Sequence, residues 1–236
     1  MSKGTLHLLP AWLSQDAPPE SVVPAAALEK IRSLAAFIAE DAKSARAWLR
    51  ACGHPLPLRQ ISIETLNEHT PPREIESLLD PIESGRHVGL LSEAGLPAIA
   101  DPGAALVAAA HARGIRVVPY VGPSSILLAL MASGLEGQRF RFVGYLPAEA
   151  AARRAAIVEL ERHSAKHRET QVFIETPYRN DAMLSDLVQA CRPSTRVSIA
   201  VELTSPREWI RTDRIDAWHM RPAAIGKRPA IFLLEA

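Results

Sequence analysis

Several polar segments of this 236-residue chain carry side chains that could take part in catalysis. Glu68 and His69 follow an alternating, strand-like segment. Either side chain could act as a general base if it lay within hydrogen-bond reach of a reacting hydroxyl. Arg179 could bind an anionic substrate, or it could be an ordinary arginine on a helix surface. Since Glu68 and His69 could equally belong to a solvated loop, the residues alone leave the identity of the catalytic groups open.

Residues 92–103 have the composition of a rigid binding loop, with two prolines, two glycines and two acids. They follow an apolar run that predicts a buried strand and precede a segment that predicts a helix. Open α/β sheets place their ligands at such strand ends. Asp101 can cap the free amides of the helix, and Pro102 lacks the N–H that a first helical turn leaves unpaired. Glu93 could accept hydrogen bonds from a ligand, or it could be a surface carboxylate in a turn.

Ser124 and Ser125 stand at a second junction between a strand and a helix. Their hydroxyls could hydrogen-bond a ligand, or they could cap the helix that follows, and the two roles are compatible. Glycine-rich nucleotide motifs are absent, because residues 122–125 and 134–137 have neither Rossmann nor P-loop spacing. Neither serine lies in a G-x-S-x-G elbow, which argues against a serine hydrolase.

The elements that must position these residues alternate between strands and helices, which favours parallel strands joined by helical crossovers. Residues 120–123 are the best candidate for a linker between two halves. The patterns predict strands at residues 5–9, 35–39, 59–64, 87–91, 115–120, 140–144, 171–175, 196–203 and 230–234, with an edge strand at 210–218. They predict helices at residues 25–33, 42–51, 72–84, 104–113, 126–132, 151–163 and 178–191.

The composition is that of an ordinary globular protein, with 47% hydrophobic and 22% charged residues. A net charge of +1 gives no global reason to expect a polyanionic partner. The two cysteines, Cys52 and Cys191, cannot build a disulfide framework, which favours a reducing compartment. The first ten residues are too short for a secretory signal, and no apolar run is long enough to span a membrane. We therefore expect a cytoplasmic protein with neither a membrane nor a metal partner.

Several motifs, read in order, resemble those of one family. Residues 117–125 resemble the proline-glycine-proline-serine segment of the tetrapyrrole methylase superfamily. Residues 91–97, together with Asp101-Pro102-Gly103, resemble the branch of that superfamily that methylates a cytidine 2′-hydroxyl in small-subunit ribosomal RNA. Segments that fall in the same order as in that branch are residues 39–43, 67–69, 175–179 and 202–204.

The resemblance implies an S-adenosylmethionine-dependent methyltransferase that is commonly homodimeric. It implies two α/β domains, residues 1–119 and 120–236, with the cofactor in the cleft between them. We expect the N-terminal sheet to be largely parallel and the C-terminal sheet to be mixed. The positions that the resemblance assigns to the cofactor are Leu9, Pro10, Glu93, Ala94, Leu96, Ser124, Ser125, Thr176, Leu203, Thr204, Pro229 and Ala230.

The chain departs from the pattern of the RNA-methylating branch at three places. Glu93 and Leu96 stand where that branch usually has Asp and Thr. Residues 10–13 replace a Pro-Ile-Gly-Asn segment, and the chain ends at Ala236, before a further helical segment that the branch carries. These departures leave three kinds of methyl acceptor open, namely RNA, a small molecule and a tetrapyrrole. A non-catalytic protein that binds the cofactor is the remaining alternative.

Overall fold

The computed structural model describes residues 2–236, which form two compact units. The first unit ends at Ser124, and the second spans Ser125–Ala236. Residues 120–123, which the sequence favours as a linker, lie in the first unit.

The first unit is built on a sheet of five parallel strands in the order β3-β2-β4-β1-β5. Alternate residues of β2 enter two hydrophobic clusters, Phe37 and Ala39 in one and Ala36 and Ile38 in the other. Apolar groups therefore cover both faces, as is usual for a parallel sheet. The strands are β1 (Thr5–Leu8), β2 (Ala36–Ala39), β3 (Ser62–Thr65), β4 (Val88–Leu91) and β5 (Arg116–Pro119).

The helices of the first unit begin and end largely where local chemistry requires. Asp41 caps α3 by accepting a hydrogen bond of 2.7 Å from the Ser44 N–H, the usual role of an aspartate at this position. The α-helices of the first unit are α1 (Pro19–Val22), α2 (Ala25–Ser33), α3 (Ala42–Ala51), α4 (Pro72–Ser77), α5 (Asp80–Glu83) and α6 (Gly103–Ala112).

Two predictions for the first unit need correction. The single helix expected at residues 72–84 is two short helices, α4 and α5. The break is explained by Pro81, whose ring would clash with the carbonyl of Ser77 in a continuous helix. The strand expected from residue 59 begins at Ser62, because Leu58–Gln60 forms a 3-10 turn after Pro57.

The second unit contains a mixed sheet in the order β6-β7-β10-β8-β9. β6 and β7 are parallel, and the other neighbours are antiparallel. The sheets of both units thus confirm the expected fold class. The elements are α7 (Ser125–Ser133), β6 (Phe140–Tyr145), α8 (Ala150–His167), β7 (Thr170–Ile174), α9 (Asn180–Ala190), β8 (Arg196–Val201), β9 (Trp209–Arg214), α10 (Ile215–Met220) and β10 (Ala230–Glu235).

The edge strand expected at residues 210–218 is wrong in its second half. β9 ends at Arg214, and Trp218 lies in α10. Ile215 and Trp218 are three residues apart, so they share one face of a helix, and both are buried. The Trp218 indole N–H donates to the Val197 carbonyl at 3.0 Å, and the Arg211 guanidinium lies 3.9 Å from the ring centroid. Packing of this helix face therefore outweighs the strand-like local pattern.

Candidate functional site

The carboxyl ends of the parallel strands in the first unit share one edge of the sheet. The loops after β1, β4 and β5 are neighbours there, because these three strands are adjacent. Predicted ligand-binding residues lie in all three loops. They are Leu9 and Pro10 after β1, Glu93, Ala94 and Leu96 after β4, and Ser124 after β5.

Close backbone packing brings these three loops together. A Cβ added to Gly122 would lie only 2.1 Å from the Pro10 Cβ and 3.5 Å from the Leu96 Cδ2. The Gly95 carbonyl accepts a hydrogen bond of 2.8 Å from the Ala11 N–H. Gly122 is therefore required at this position, since any side chain there would separate the loops.

The predicted residues of this edge differ in what they could offer a ligand. Leu9 is fully buried, and its Cδ1 lies against Gly89, so only its backbone could meet a ligand. Glu93 and Ala94 are exposed, and Leu96 is half-buried. Ser124 is buried at the end of the first unit.

The loop after β4 is held in an uncommon conformation by Asp101. Its Oδ1 accepts hydrogen bonds of 2.8 Å from the N–H groups of Ala98 and Gly103. Ala98 and Ala100 both have positive φ angles, of 66° and 61°, which non-glycine residues seldom adopt. Asp101 thus binds the first amide of α6, at Gly103. The expected place of Pro102 is wrong, since Pro102 is the residue before the helix and not its first residue.

A group of carboxylates lies at the same edge, and sequence reasoning missed its central member. Burial raises the pKa of Glu40 above its usual range, and the neighbouring carboxylates of Glu93, Asp101 and Glu68 add to the effect. The nearby backbone N–H of Glu93 opposes that shift. The sequence signal that could have identified Glu40 is its position directly after a buried strand, β2.

Glu68 and His69, the candidate bases, follow the edge strand β3. Their side chains are 84% and 85% exposed, and the Glu68 Oε1 lies 3.6 Å from the His69 Nε2. Asn67 forms the turn by accepting the His69 N–H at 3.0 Å. The structure therefore places both candidates in solvent, with Glu68 close enough to Glu40 to influence its charge.

In the second unit, five predicted residues share one edge of the sheet. β10 runs antiparallel to both β7 and β8, so its start lies beside their ends. The Glu202 N–H donates to the Pro229 carbonyl at 2.9 Å and joins two of these segments. The five residues are Thr176 after β7, Leu203 and Thr204 after β8, and Pro229 and Ala230 at the start of β10. Ser125 begins α7 in the same unit.

Arg179 is engaged within the protein. Its guanidinium lies 2.5 Å from the Oε1 of Glu175, whose side chain is completely buried. The same oxygen accepts the Thr176 N–H at 2.6 Å. Arg179 therefore neutralises a buried acid that holds the backbone of Thr176, and about a third of the Arg179 side chain remains exposed.

A clamp at the start of α9 fixes the loop that leads to β10, and sequence reasoning missed it. The fully buried Asn180 donates from Nδ2 to the carbonyls of Gly226 and Arg228, at 3.0 and 2.7 Å. The Asp181 Oδ1 accepts from the N–H groups of Ile225 and Gly226, at 2.7 and 3.2 Å. We call Asn180 and Asp181 the α9 clamp. It holds the backbone of the loop directly before Pro229.

Three buried polar atoms at this edge make no hydrogen bond among the described residues. They are Glu175 Oε2, Asn180 Oδ1 and Thr204 Oγ1. Buried polar groups in proteins are almost always paired, so acceptors and hydroxyls of this kind suit a polar ligand. The edge thus fits a cofactor that is held by backbone groups and small side chains. Within residues 2–236, no group of three or more His, Cys, Asp or Glu side chains is arranged to hold a metal ion.

Comparison with known proteins decides the family. The model of the family Tetrapyrrole (Corrin/Porphyrin) Methylases matches residues 21–217. The chain belongs to the tetrapyrrole methylase family. It is an S-adenosylmethionine-dependent methyltransferase of this family, as the resemblance implied.

Curated relatives from several bacteria carry the name Ribosomal RNA small subunit methyltransferase I. The Pseudomonas aeruginosa protein is 34% identical over 90% of this chain and 71% of its own length. The Mycobacterium tuberculosis protein is 37% identical over 92% of this chain and 72% of its own length. The Vibrio cholerae match, 37% identical, covers 69% of this chain and only 56% of that protein.

Solved structures show the same fold at lower identity. The methyltransferase CobJ has a TM-score of 0.65 and 17% identity, covering 98% of this chain and 94% of its own. The uroporphyrin-III-C-methyltransferase of Thermus thermophilus has a TM-score of 0.56 and 19% identity, covering 99% and 93% of the two chains. These likenesses concern the fold alone. Among the helices in residues 2–236, none has both the length and the hydropathy of a membrane-spanning segment.

Proposed function

We propose that this methyltransferase acts on small-subunit ribosomal RNA and that the acceptor is the 2′-hydroxyl of a cytidine. The observation that carries the proposal is the identity of 34–37% to relatives with that ribosomal RNA methyltransferase name, over about nine-tenths of this chain. We infer the 2′-hydroxyl as the acceptor because residues 91–97 and the accompanying motifs resemble one branch of the family.

The proposed cofactor residues lie at one edge of the sheet in each unit, except Ser125, which begins α7. In the first unit they are Leu9, Pro10, Glu93, Ala94, Leu96 and Ser124, on loops whose close packing depends on Gly122. In the second unit they are Ser125, Thr176, Leu203, Thr204, Pro229 and Ala230. The Thr204 Oγ1, which makes no hydrogen bond among the described residues, could form one without a fixed charge, which suits an adenosine group.

Bound S-adenosylmethionine would supply a methyl group that is already activated by its sulfonium. The residues of this chain would then have to align the acceptor hydroxyl with that methyl group and exclude water. A ribose hydroxyl also needs help to lose its proton. Glu68 and His69 are our candidates for that step. We propose that Arg179 acts through Glu175 by holding Thr176 in place, since its guanidinium is already paired.

The proposal is tested by comparing ribosomal RNA from a strain that lacks the gene with RNA from the parent. Small-subunit RNA is digested to nucleosides, and 2′-O-methylcytidine is measured by mass spectrometry. We expect the deletion to remove one such nucleoside per subunit and the intact gene to restore it. Unchanged ribose methylation would contradict the RNA proposal. Transfer of labelled methyl to a metabolite pool would instead favour a small-molecule or tetrapyrrole acceptor.

We further propose that the protein works as a homodimer in the cytoplasm, where its proposed substrate is assembled. The dimer follows from the resemblance to the family. Sedimentation equilibrium of the purified chain, whose mass is 25.7 kDa, tests it directly. A species of about twice that mass is expected, and a monomer at micromolar concentration would contradict the dimer.

A further inference from the structure

Tyr178 and Lys227 form an exposed pair of aromatic ring and cation in the second unit. Tyr178 is 79% exposed, and the Lys227 ammonium lies 5.0 Å from the centroid of its ring. An aromatic side chain this exposed gains little from hydrophobic burial. The pair is therefore available for a ligand rather than engaged in the core.

The α9 clamp lies close to Tyr178 in the sequence and hydrogen-bonds to both neighbours of Lys227. Lys227 lies between Gly226 and Arg228, the two residues whose carbonyls receive hydrogen bonds from Asn180. Tyr178 lies two residues before Asn180, in the 3-10 turn Pro177–Arg179. The α9 clamp thus connects the segment that carries Tyr178 to the loop that carries Lys227.

The pair also lies at the edge that holds the proposed cofactor residues. Tyr178 follows Thr176 by two residues, and Lys227 precedes Pro229 by two residues. At the end of the neighbouring strand β6, Tyr145 is a second exposed aromatic side chain, 61% accessible, and it is in register with Ile174 of β7. A group bound on Tyr178 would therefore be next to the residues proposed to hold the methyl donor.

We propose that Tyr178 and Lys227 bind an unpaired nucleotide of the substrate RNA, with a base on the tyrosine ring and a phosphate on the lysine. This inference rests on the proposed function and deepens it. Proteins that bind single-stranded RNA commonly stack bases on aromatic side chains and track the backbone with cations. The near-neutral chain offers no global attraction for RNA, so local contacts of this kind must supply the binding.

The substrate in the test is the small ribosomal subunit from a strain that lacks the gene. Stacking of one base is lost in Tyr178→Ala, so we expect the KM for the subunit to rise about ten-fold. Tyr178→Phe keeps the aromatic ring, so its KM for the subunit should be close to that of the unaltered protein. The Kd for S-adenosylhomocysteine, measured by calorimetry, should be unchanged in both variants.

Lys227→Gln tests the cation separately. We measure binding of a labelled single-stranded oligocytidine over a range of salt concentrations. The affinity falls as salt rises, so a plot of log K against log salt has a negative slope. Loss of one phosphate contact should make that slope less steep by about 0.7. Lys166→Gln is the matched control, because this exposed lysine of α8 precedes β7 and lies at the opposite end of that strand from Tyr178.

The outcomes separate this inference from the function on which it rests. If the unaltered protein methylates the subunit and Tyr178→Ala has the same KM, the nucleotide site is wrong while the proposed function stands. If the unaltered protein transfers no methyl to subunits or naked ribosomal RNA, both fail. A raised KM for a tetrapyrrole in Tyr178→Ala would also overturn the assignment to RNA.

Discussion

At the scale of single residues, the site of the first unit depends most on the absence of a side chain at Gly122. Gly122→Ala would place a Cβ 2.1 Å from the Pro10 Cβ, so one of the two loops must move. We expect the affinity for S-adenosylhomocysteine to fall by about ten-fold or more, by analogy with the cost of overpacking. Isothermal titration calorimetry measures the effect.

The matched control for this substitution is Gly137→Ala. A Cβ at Gly137 meets nothing within 4 Å, and its φ is not positive. That variant should bind the cofactor product like the unaltered chain. Equal affinities for the two alanine variants would show that packing of the loops around Gly122 has no part in binding.

His7 makes the stability of the protein depend on pH. Burial, assisted by nearby positive groups, lowers the pKa of His7 to about 4 from 6.5. The unfolded chain therefore takes up this proton at a higher pH than the folded chain does. The free energy of unfolding should fall as pH drops from about 6.5 to about 4, by roughly 3 kcal/mol.

Denaturant unfolding of the unaltered chain and of His7→Gln between pH 5 and 7 checks this expectation. The pH slope should be smaller in His7→Gln, because the proton-binding group is gone. His69→Gln, at an exposed histidine, should keep the slope of the unaltered chain. Parallel slopes for His7→Gln and the unaltered chain would argue that His7 titrates normally in the folded protein.

At the scale of elements, the α9 clamp joins the start of one helix to the loop before β10. Asn180→Ala removes two hydrogen bonds and leaves the carbonyls of Gly226 and Arg228 without their partner. We expect faster amide exchange at residues 225–228 and a stability loss of about 1–3 kcal/mol. Hydrogen exchange with mass spectrometry and thermal unfolding report the two effects.

Gln189→Ala serves as the control for the clamp, since Gln189 is an exposed residue of the same helix whose amide contacts Ser185. It should leave exchange at residues 225–228 unchanged. If Asn180→Ala also left it unchanged, the loop before β10 would be held by other contacts.

Local sequence signals predicted elements well where a residue marks their ends. α2 and α3 have the predicted bounds, because Pro24 precedes the first and Asp41 caps the second. The prediction of one helix at residues 72–84 is wrong, because Pro81 divides this segment into α4 and α5. The strand prediction is also wrong at Trp218, where burial of a helix face outweighed a strand-like pattern.

The candidate site was predictable only in part. The sequence placed polar loops after strands, and the structure confirms that order along both sheets. Contacts between distant segments could not be read from it. Gly122 meets Pro10 across more than a hundred residues, and Asn180 reaches Gly226 across 46 residues. Such contacts depend on the order of strands within a sheet, which local periodicity does not encode.

At the scale of the whole molecule, the chain combines a methyltransferase fold with a nearly neutral charge. The fold is shared with the solved methyltransferase CobJ, while the ribosomal RNA methyltransferase name belongs to relatives 34–37% identical. A net charge of +1 predicts that RNA binding depends on a few local cations. The affinity for RNA should therefore decrease only moderately as the salt concentration rises, with a slope that corresponds to few phosphate contacts.

Methyl transfer by the purified chain tests the proposed activity on ribosomal RNA most directly. Protein and labelled S-adenosylmethionine are incubated with small ribosomal subunits from a strain lacking the gene, and the RNA is digested to nucleosides. We expect label in 2′-O-methylcytidine, approaching one methyl group per subunit, and much slower transfer by Gly122→Ala. Cofactor binding without label in RNA, or label only in a small molecule, would contradict that activity.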